Sequence, residues 1–149
     1  MMGRNESDRS VLSGRKRLVA AVVGLAMLCP LAIAFLLVPD SRGHGTHEQL
    51  GLPPCTMVVL FGIRCPTCGS TTAFAYLARG QLIKAFGANV SATLLALLSV
   101  PAGIWVCLSA IRGRWLMVVP SGVAAIVVAM VFLTIAIIDW VCRLLADFL

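Results

Sequence analysis

Three long apolar stretches dominate the pattern of hydrophobic and polar positions along this chain. Residues 18–38 form an uncharged run of 21 residues, and at about 1.5 Å per residue a helix of that length matches a hydrocarbon core of about 30 Å. Residues 90–111 and 116–138 form two further apolar runs, separated by the tight turn 112–114. The pattern predicts an all-α membrane protein with three transmembrane helices at these positions.

The first run also resembles a cleaved signal peptide, because it follows basic residues and contains the small-x-small sequence Ala32-Ile33-Ala34. It is longer than the usual apolar region of a signal peptide, which favours a membrane-spanning helix. Residues 1–17 are polar and basic and predict a flexible cytoplasmic tail. Residues 18–149 are predicted to form a single helical membrane domain, whose last nine residues, 141–149, suit a helix at the membrane interface.

The segment 39–89, here called the connector, does not have the pattern of a membrane span. Residues 39–54 are rich in Pro, Gly and charge and predict a solvated loop. Residues 55–63 are apolar, but nine residues are too few to cross a bilayer as a helix. Short helices are predicted at 70–79 and 81–88. The connector is therefore expected to form short interfacial or re-entrant helices between the first two spans.

Charge distribution adds an orientation to this picture. Apolar residues make up 60% of the chain and charged residues 12%, about half the usual share in a soluble domain. Five of the twelve Lys and Arg residues lie in the first 17 residues, directly before an apolar run, which indicates membrane orientation rather than nucleic-acid binding. The tail and the Arg112–Arg114 turn are predicted to be cytoplasmic and the connector external. Four connector cations oppose this orientation: Arg42, Arg64, Arg79 and Lys84.

The six cysteines fall into two groups. Cys29, Cys107 and Cys142 lie in or beside the apolar runs, where a free thiol packs as a small hydrophobe. The other three, Cys55, Cys65 and Cys68, all lie in the connector. In a structural interpretation, Pro66 and Gly69 shape a tight Cys-Pro-Thr-Cys-Gly turn that only fixes the entry into a helix.

A redox interpretation starts from the two thiols of Cys65 and Cys68. They precede a predicted helix and lie beside Arg64, so the helix dipole and this cation are expected to lower both pKa values. Cys55 would then be the resolving thiol. A single CxxC motif is weak support for this chemistry, because no thioredoxin-like βαβ pattern surrounds it.

A metal site is the third interpretation of the connector. Five nitrogen or sulfur donors lie within 25 residues: His44, His47, Cys55, Cys65 and Cys68. A set of three cysteines and one histidine, or of two of each, suits structural zinc. No carboxylate occurs from residue 49 to residue 138, which excludes paired-carboxylate catalysis and carboxylate-rich metal sites there. Apart from this possible zinc, no cofactor is predicted.

The central stretch resembles a family of small bacterial integral membrane proteins of unknown function. Its signature, C-P-x-C-G-x-T-R followed by Asn-Pro before a span, is similar to residues 65–72 and to Asn89 here. The family's Arg is replaced by Thr72 and its Pro by Val90. If that Arg binds an anion or pairs with a thiolate in the family, this chain either lacks the function or uses Arg64 or Arg79 instead. The resemblance implies a multi-pass protein of the bacterial inner membrane and supplies no catalytic residue.

These observations predict an integral membrane protein with a structural or partner-binding role rather than an enzyme. Its expected partners are the lipid bilayer and other membrane proteins, and nucleic acid is not expected. Thiol-disulfide exchange at Cys65 and Cys68, or a zinc ion held in the connector, are the two alternatives.

Overall fold

The computed structural model describes residues 11–116 and 121–148 of the chain. These described residues form six α-helices: α1 (Gly14–Ala34), α2 (Thr56–Phe61), α3 (Ser70–Ala78), α4 (Leu82–Ala88), α5 (Val90–Arg112) and α6 (Gly122–Phe148). A 3₁₀ helix covers Thr46–Leu50. Three of the helices, α1, α5 and α6, are long and apolar enough to cross a membrane. The predicted all-α fold with three such helices is confirmed.

The ends of the long helices differ from the predicted spans. Helix α1 begins at Gly14, inside the segment predicted as a tail, and ends at Ala34; residues 1–10 of that predicted tail lie outside the described residues. Helix α6 begins at Gly122 and continues past residue 138 without a break. Residues 141–148, expected at the interface as a separate helix, therefore extend the third long helix.

Helices α1 and α5 pack closely because both carry glycine at their crossing. A Cβ on Gly24 would lie 2.5 Å from the sulfur of Cys107, and a Cβ on Gly103 would lie 2.9 Å from the side chain of Leu28. Small residues of this kind let helix backbones approach where water supplies no hydrophobic driving force. The α1–α5 pair thus forms the scaffold to which the connector is attached at one end.

The connector folds back onto this end of the pair through small buried side chains. Ala73 of α3, Ala88 of α4 and Ala92 of α5 form a buried cluster, covered by Tyr76. The short helix α2 has no buried residue, and Val59, Leu60 and Phe61 are each more than 60% exposed. Packing within the connector therefore centres on α3 and α4, while α2 presents its apolar side chains outward.

Candidate functional site

Three connector cysteines form one cluster. The sulfur atoms of Cys55, Cys65 and Cys68 all lie within 4.8 Å of one another, and each is a free thiol. They open onto a cavity of about 370 Å³. Its other lining residues include the hydroxyl side chains of Thr67, Ser70, Thr71 and Thr72. The site is therefore a small cavity lined by hydroxyl side chains and by three sulfur atoms that could bind a soft metal ion.

Cys55 takes its place in the cluster as the N-cap residue of α2. The N–H of Val58 lowers the pKa of the Cys55 thiol, and the Cys65 thiol and the N–H of Met57 act in the same direction. These amides belong to the first turn of a helix, where backbone N–H groups lack partners within the helix. The geometry thus lowers the pKa of Cys55, the residue that the sequence analysis gave as a resolving thiol and as a metal donor.

Cys68 has the opposite environment. It is 6% exposed, and burial raises the pKa of Cys68 to about 11, with a further increase from the sulfurs of Cys65 and Cys55. The expectation that the helix dipole lowers the pKa of this thiol is therefore wrong. Desolvation of a charged sulfur outweighs the dipole of the short helix α3 at this position.

The turn that carries Cys65 and Cys68 closes on itself. The N–H of Cys68 donates to the carbonyl of Cys65 at 3.0 Å, and the hydroxyl of Ser70 donates to the carbonyl of Thr67 at 2.7 Å. The N-cap of α3 is Gly69, with φ of 87°. A Cβ on Gly69 would lie 2.5 Å from the carbonyl oxygen of Ala88 and 2.7 Å from that of Gly43. Glycine is required here both for backbone conformation and for space.

Two side chains from distant parts of the chain hold the carbonyl groups of this turn. Asn89 is fully buried, and its Nδ2 donates to the carbonyls of Pro66 and Cys68 at 3.2 and 3.1 Å. Its Oδ1 accepts from the N–H of Ala92 at 2.8 Å, which caps α5. Arg143 of α6 donates to the same two carbonyls, both at 3.1 Å. The turn is thereby fixed to the start of α5 and to the end of α6.

Helix α6 makes two more polar contacts in this region. Arg143 pairs with Asp139 at 2.9 Å, and the two side chains are 13% and 9% exposed. Trp140 Nε1 donates to the carbonyl of Arg64 at 2.7 Å. The last turns of α6, predicted from sequence to lie at the interface, therefore contact the backbone of the cysteine turn.

The two histidines occupy different positions. His47 lines the cavity of the cysteine cluster, and its Nε2 lies 3.1 Å from the carbonyl oxygen of Pro53. His44 is not among the described residues that line the cavity. Burial lowers the pKa of His44, with additional repulsion from Arg42 and Arg64. The fold brings together three of the five predicted donors as a compact group, with His47 at the edge of the same cavity.

Residues 55–102 match a family described as a protein of unknown function (DUF2752). The predicted resemblance of this stretch to a family of unknown function is confirmed. No curated protein and no solved structure gives a significant match to the chain.

The DUF2752 match contains only part of the site. It includes the three clustered cysteines and Asn89, whereas His47 and Arg143 lie outside it. Thr72, the position of the expected Arg, is fully buried and lies 2.8 Å from the hydroxyl of Thr46. Arg79 donates instead to the carbonyls of Ala75 and Ala34. The guanidinium seen on the turn is that of Arg143, which lies 75 residues beyond Cys68 and which no local motif could have indicated.

Proposed function

We propose that this multi-pass membrane protein holds one zinc ion on the thiolates of Cys55, Cys65 and Cys68. The observation that carries the proposal is the sulfur cluster, with all distances within 4.8 Å. Two sulfurs on a tetrahedral zinc ion are about 3.8 Å apart, since each Zn–S bond is about 2.3 Å. Each sulfur–sulfur distance therefore needs to shorten by no more than about 1 Å to reach the geometry of a zinc site.

His47 is the fourth ligand in this proposal because it lines the same cavity, although it lies outside the group of three close sulfurs. Its Nε2 faces the carbonyl of Pro53, and a metal-bound histidine characteristically donates its second ring N–H to such an acceptor. This arrangement leaves Nδ1 with a lone pair. His44 is excluded from the ligand set because it does not line the cavity. The zinc ion would staple α2 to the start of α3 and so fix the structure of the connector.

Metal analysis of the full chain, purified in detergent under anaerobic conditions, tests this function. We expect close to one zinc per chain, lost in Cys65→Ser and retained in Cys142→Ser, a control that removes a thiol exposed on α6. His47→Ala is expected to weaken zinc binding about tenfold, whereas His44→Ala leaves the affinity unchanged. Cobalt substitution gives a separate readout, since thiolate-to-cobalt absorption reports sulfur ligation. Wild-type protein that is folded and free of metal, with three titratable connector thiols, would overturn the proposal.

The second candidate is thiol-disulfide exchange with a disulfide-bonded protein substrate. It is favoured by the third thiol, because a mixed disulfide formed at one cysteine has a neighbour within 4.8 Å that can resolve it. In the first step a cysteine thiolate attacks the substrate disulfide and releases one substrate thiolate. In the second step a neighbouring connector thiolate displaces the other substrate thiolate, leaving the connector oxidised and the substrate reduced. Mixed disulfides trapped in the double variant Cys55→Ser with Cys68→Ser, which retains Cys65 as its one thiol in the cluster, together with zinc-free wild type, would favour this candidate over zinc.

We also propose that the tail is cytoplasmic and the connector external, in the inner membrane of a bacterium. The cations at the start of α1 and at the end of α5 support this orientation through the positive-inside rule. Labelling intact cells with a membrane-impermeant thiol reagent, after chelation and mild reduction, tests it. Labelled connector cysteines are expected, and labelling only after lysis would reverse the orientation.

A further inference from the structure

An apolar groove of about 880 Å³ runs between α1, α5 and α6, away from the cysteine cluster. Val23 and Met27 of α1, Val106 of α5 and Val128 of α6 contribute to its walls. Its volume is within the range of about 300–1,000 Å³ that is common for ligand sites. An extended hydrocarbon chain is the chemistry that such walls accept.

One end of this groove is cationic. Arg15 and Lys16 line it and are exposed, and neither has an ion-pair partner among the residues that the structure describes. Arg17 lies close by, donating to the carbonyl of Ile111 at 2.6 Å. The carboxylates of Asp40, Glu48 and Asp139 belong to the ion pairs of the connector and of the cysteine turn. The positive charge at the groove is therefore not balanced by the described part of the chain.

Two tryptophans mark the depth of this end in a bilayer. Trp105 and Trp115 both line the groove, and their rings lie 5.4 Å apart. Trp105 Nε1 donates to the carbonyl of Leu116. Tryptophan is enriched at the level of the lipid headgroups, so the cations next to this pair lie at headgroup depth.

We propose that the groove binds an anionic glycerophospholipid, with an acyl chain along the apolar walls and its phosphate beside Arg15 and Lys16. Basic pockets between transmembrane helices recognise anionic headgroups in this way. A zwitterionic lipid offers the same chains but no net charge, so the cations select against it. Each cation near a membrane surface strengthens binding of an anionic lipid about fivefold. This site is independent of the zinc proposal, because it shares no residue with the cysteine cluster.

Native mass spectrometry of the detergent-purified full chain tests the proposal with two probes of equal acyl chains, phosphatidylglycerol and phosphatidylcholine. We expect one phosphatidylglycerol to be retained at least about tenfold better than phosphatidylcholine. Arg15→Gln with Lys16→Gln should lower phosphatidylglycerol retention about 20-fold and leave phosphatidylcholine unchanged. The control Arg42→Gln with Lys84→Gln removes two cations from the connector and should leave both lipids unaffected.

A second variant tests the apolar walls without changing charge. Ala125 lines the groove, and Ala125→Phe is expected to reduce retention of both lipids. Ala129→Phe, one turn along α6 and outside the residues lining the groove, is the matched control. Circular dichroism of each variant verifies that its helices are formed. Equal retention of the two lipids by the wild type, or full retention by Ala125→Phe, would overturn the proposal.

Discussion

The connector and helix α6 differ in what holds them to the rest of the molecule. The connector packs through buried alanines and through hydroxyl, amide and carbonyl groups that bond within the protein. Only 6% of the most apolar 18-residue stretch of α6 is buried inside the protein, against 28% of the corresponding stretch of α5. Lipid tails are as apolar as the face of this helix, so no hydrophobic driving force brings that face against another part of the protein. Helix α6 is therefore held at the site mainly by polar contacts near its end.

The largest loss of stability is expected from Gly69→Ala, which disrupts the packing of the connector. The new Cβ would meet two carbonyl oxygens within 2.7 Å, at a φ of 87°. We expect a loss of about 4 kcal/mol or more in the free energy of unfolding, together with loss of metal binding. Thermal unfolding in detergent measures the first and metal analysis the second.

The matched control for this change is Gly80→Ala. Gly80 also has a positive φ, of 70°, but a Cβ there has no atom within 4 Å. Its cost should be only the conformational one, about 1–2 kcal/mol. Equal effects of the two substitutions would show that space at Gly69 is not what matters.

Arg143→Gln removes polar contacts that hold the end of α6 and should cause the next largest loss of stability. It leaves Asp139 without its cation and removes donors from the carbonyls of Pro66 and Cys68. Removing one member of a buried ion pair costs about 3 kcal/mol or more. Denaturation of the variant, compared with Arg112→Gln at an exposed position, measures this cost.

A double substitution separates the unpaired charge from the lost hydrogen bonds. Asp139→Asn combined with Arg143→Gln removes both charges, so it should recover at least about 1 kcal/mol of the single variant's loss. If the double variant is no more stable than Arg143→Gln, the ion pair does not fix the end of α6.

The long helices and part of the cysteine site could be predicted from the sequence, whereas the role of Arg143 could not. Length and hydropathy were enough for three long helices, because the bilayer requires both in each span. The positions of Cys55, Cys65 and Cys68 suggested a shared site, since the thiols are close along the chain. Arg143 could not be assigned to that site, because its role depends on how α6 packs against a turn 75 residues earlier. The pKa directions of Cys55 and Cys68 were missed because they depend on the fold: backbone N–H groups of α2 lower the pKa of Cys55, and burial raises the pKa of Cys68.

Thr72→Val should have a smaller effect, within the connector alone. It removes the hydroxyl that lies 2.8 Å from Thr46, while Thr46 still accepts from the N–H of Asp40 at 3.0 Å. Loss of one buried hydrogen bond predicts a destabilisation of about 1 kcal/mol. Thr134→Val, on the exposed face of α6 where the hydroxyl bonds its own helix, should change stability by less than half of that amount. A reversed order would mean that the buried hydroxyl pair contributes little.

The smallest expected effect is an acid dependence of the connector. The guanidinium and backbone N–H of Arg42 lower the pKa of Asp40 to about 2, from an ordinary value of 3.8. Between these two pKa values Asp40 therefore binds fewer protons in the folded connector than in the unfolded chain. The stabilisation of the connector by the Asp40–Arg42 ion pair is fully present above about pH 4 and is lost as the pH falls towards 2. Melting curves from pH 5 to pH 2 should show a shallower decline in Arg42→Gln, and parallel declines would contradict this assignment.

The contact between Arg143 and the cysteine turn also has a consequence for biosynthesis. During translation the turn emerges well before Arg143, which lies 75 residues after Cys68. Until α6 has entered the bilayer, Asn89 alone can hold those carbonyls. The attachment of the cysteine turn to α6 is thus completed only when α6 has been inserted, after the contact with Asn89 can already form.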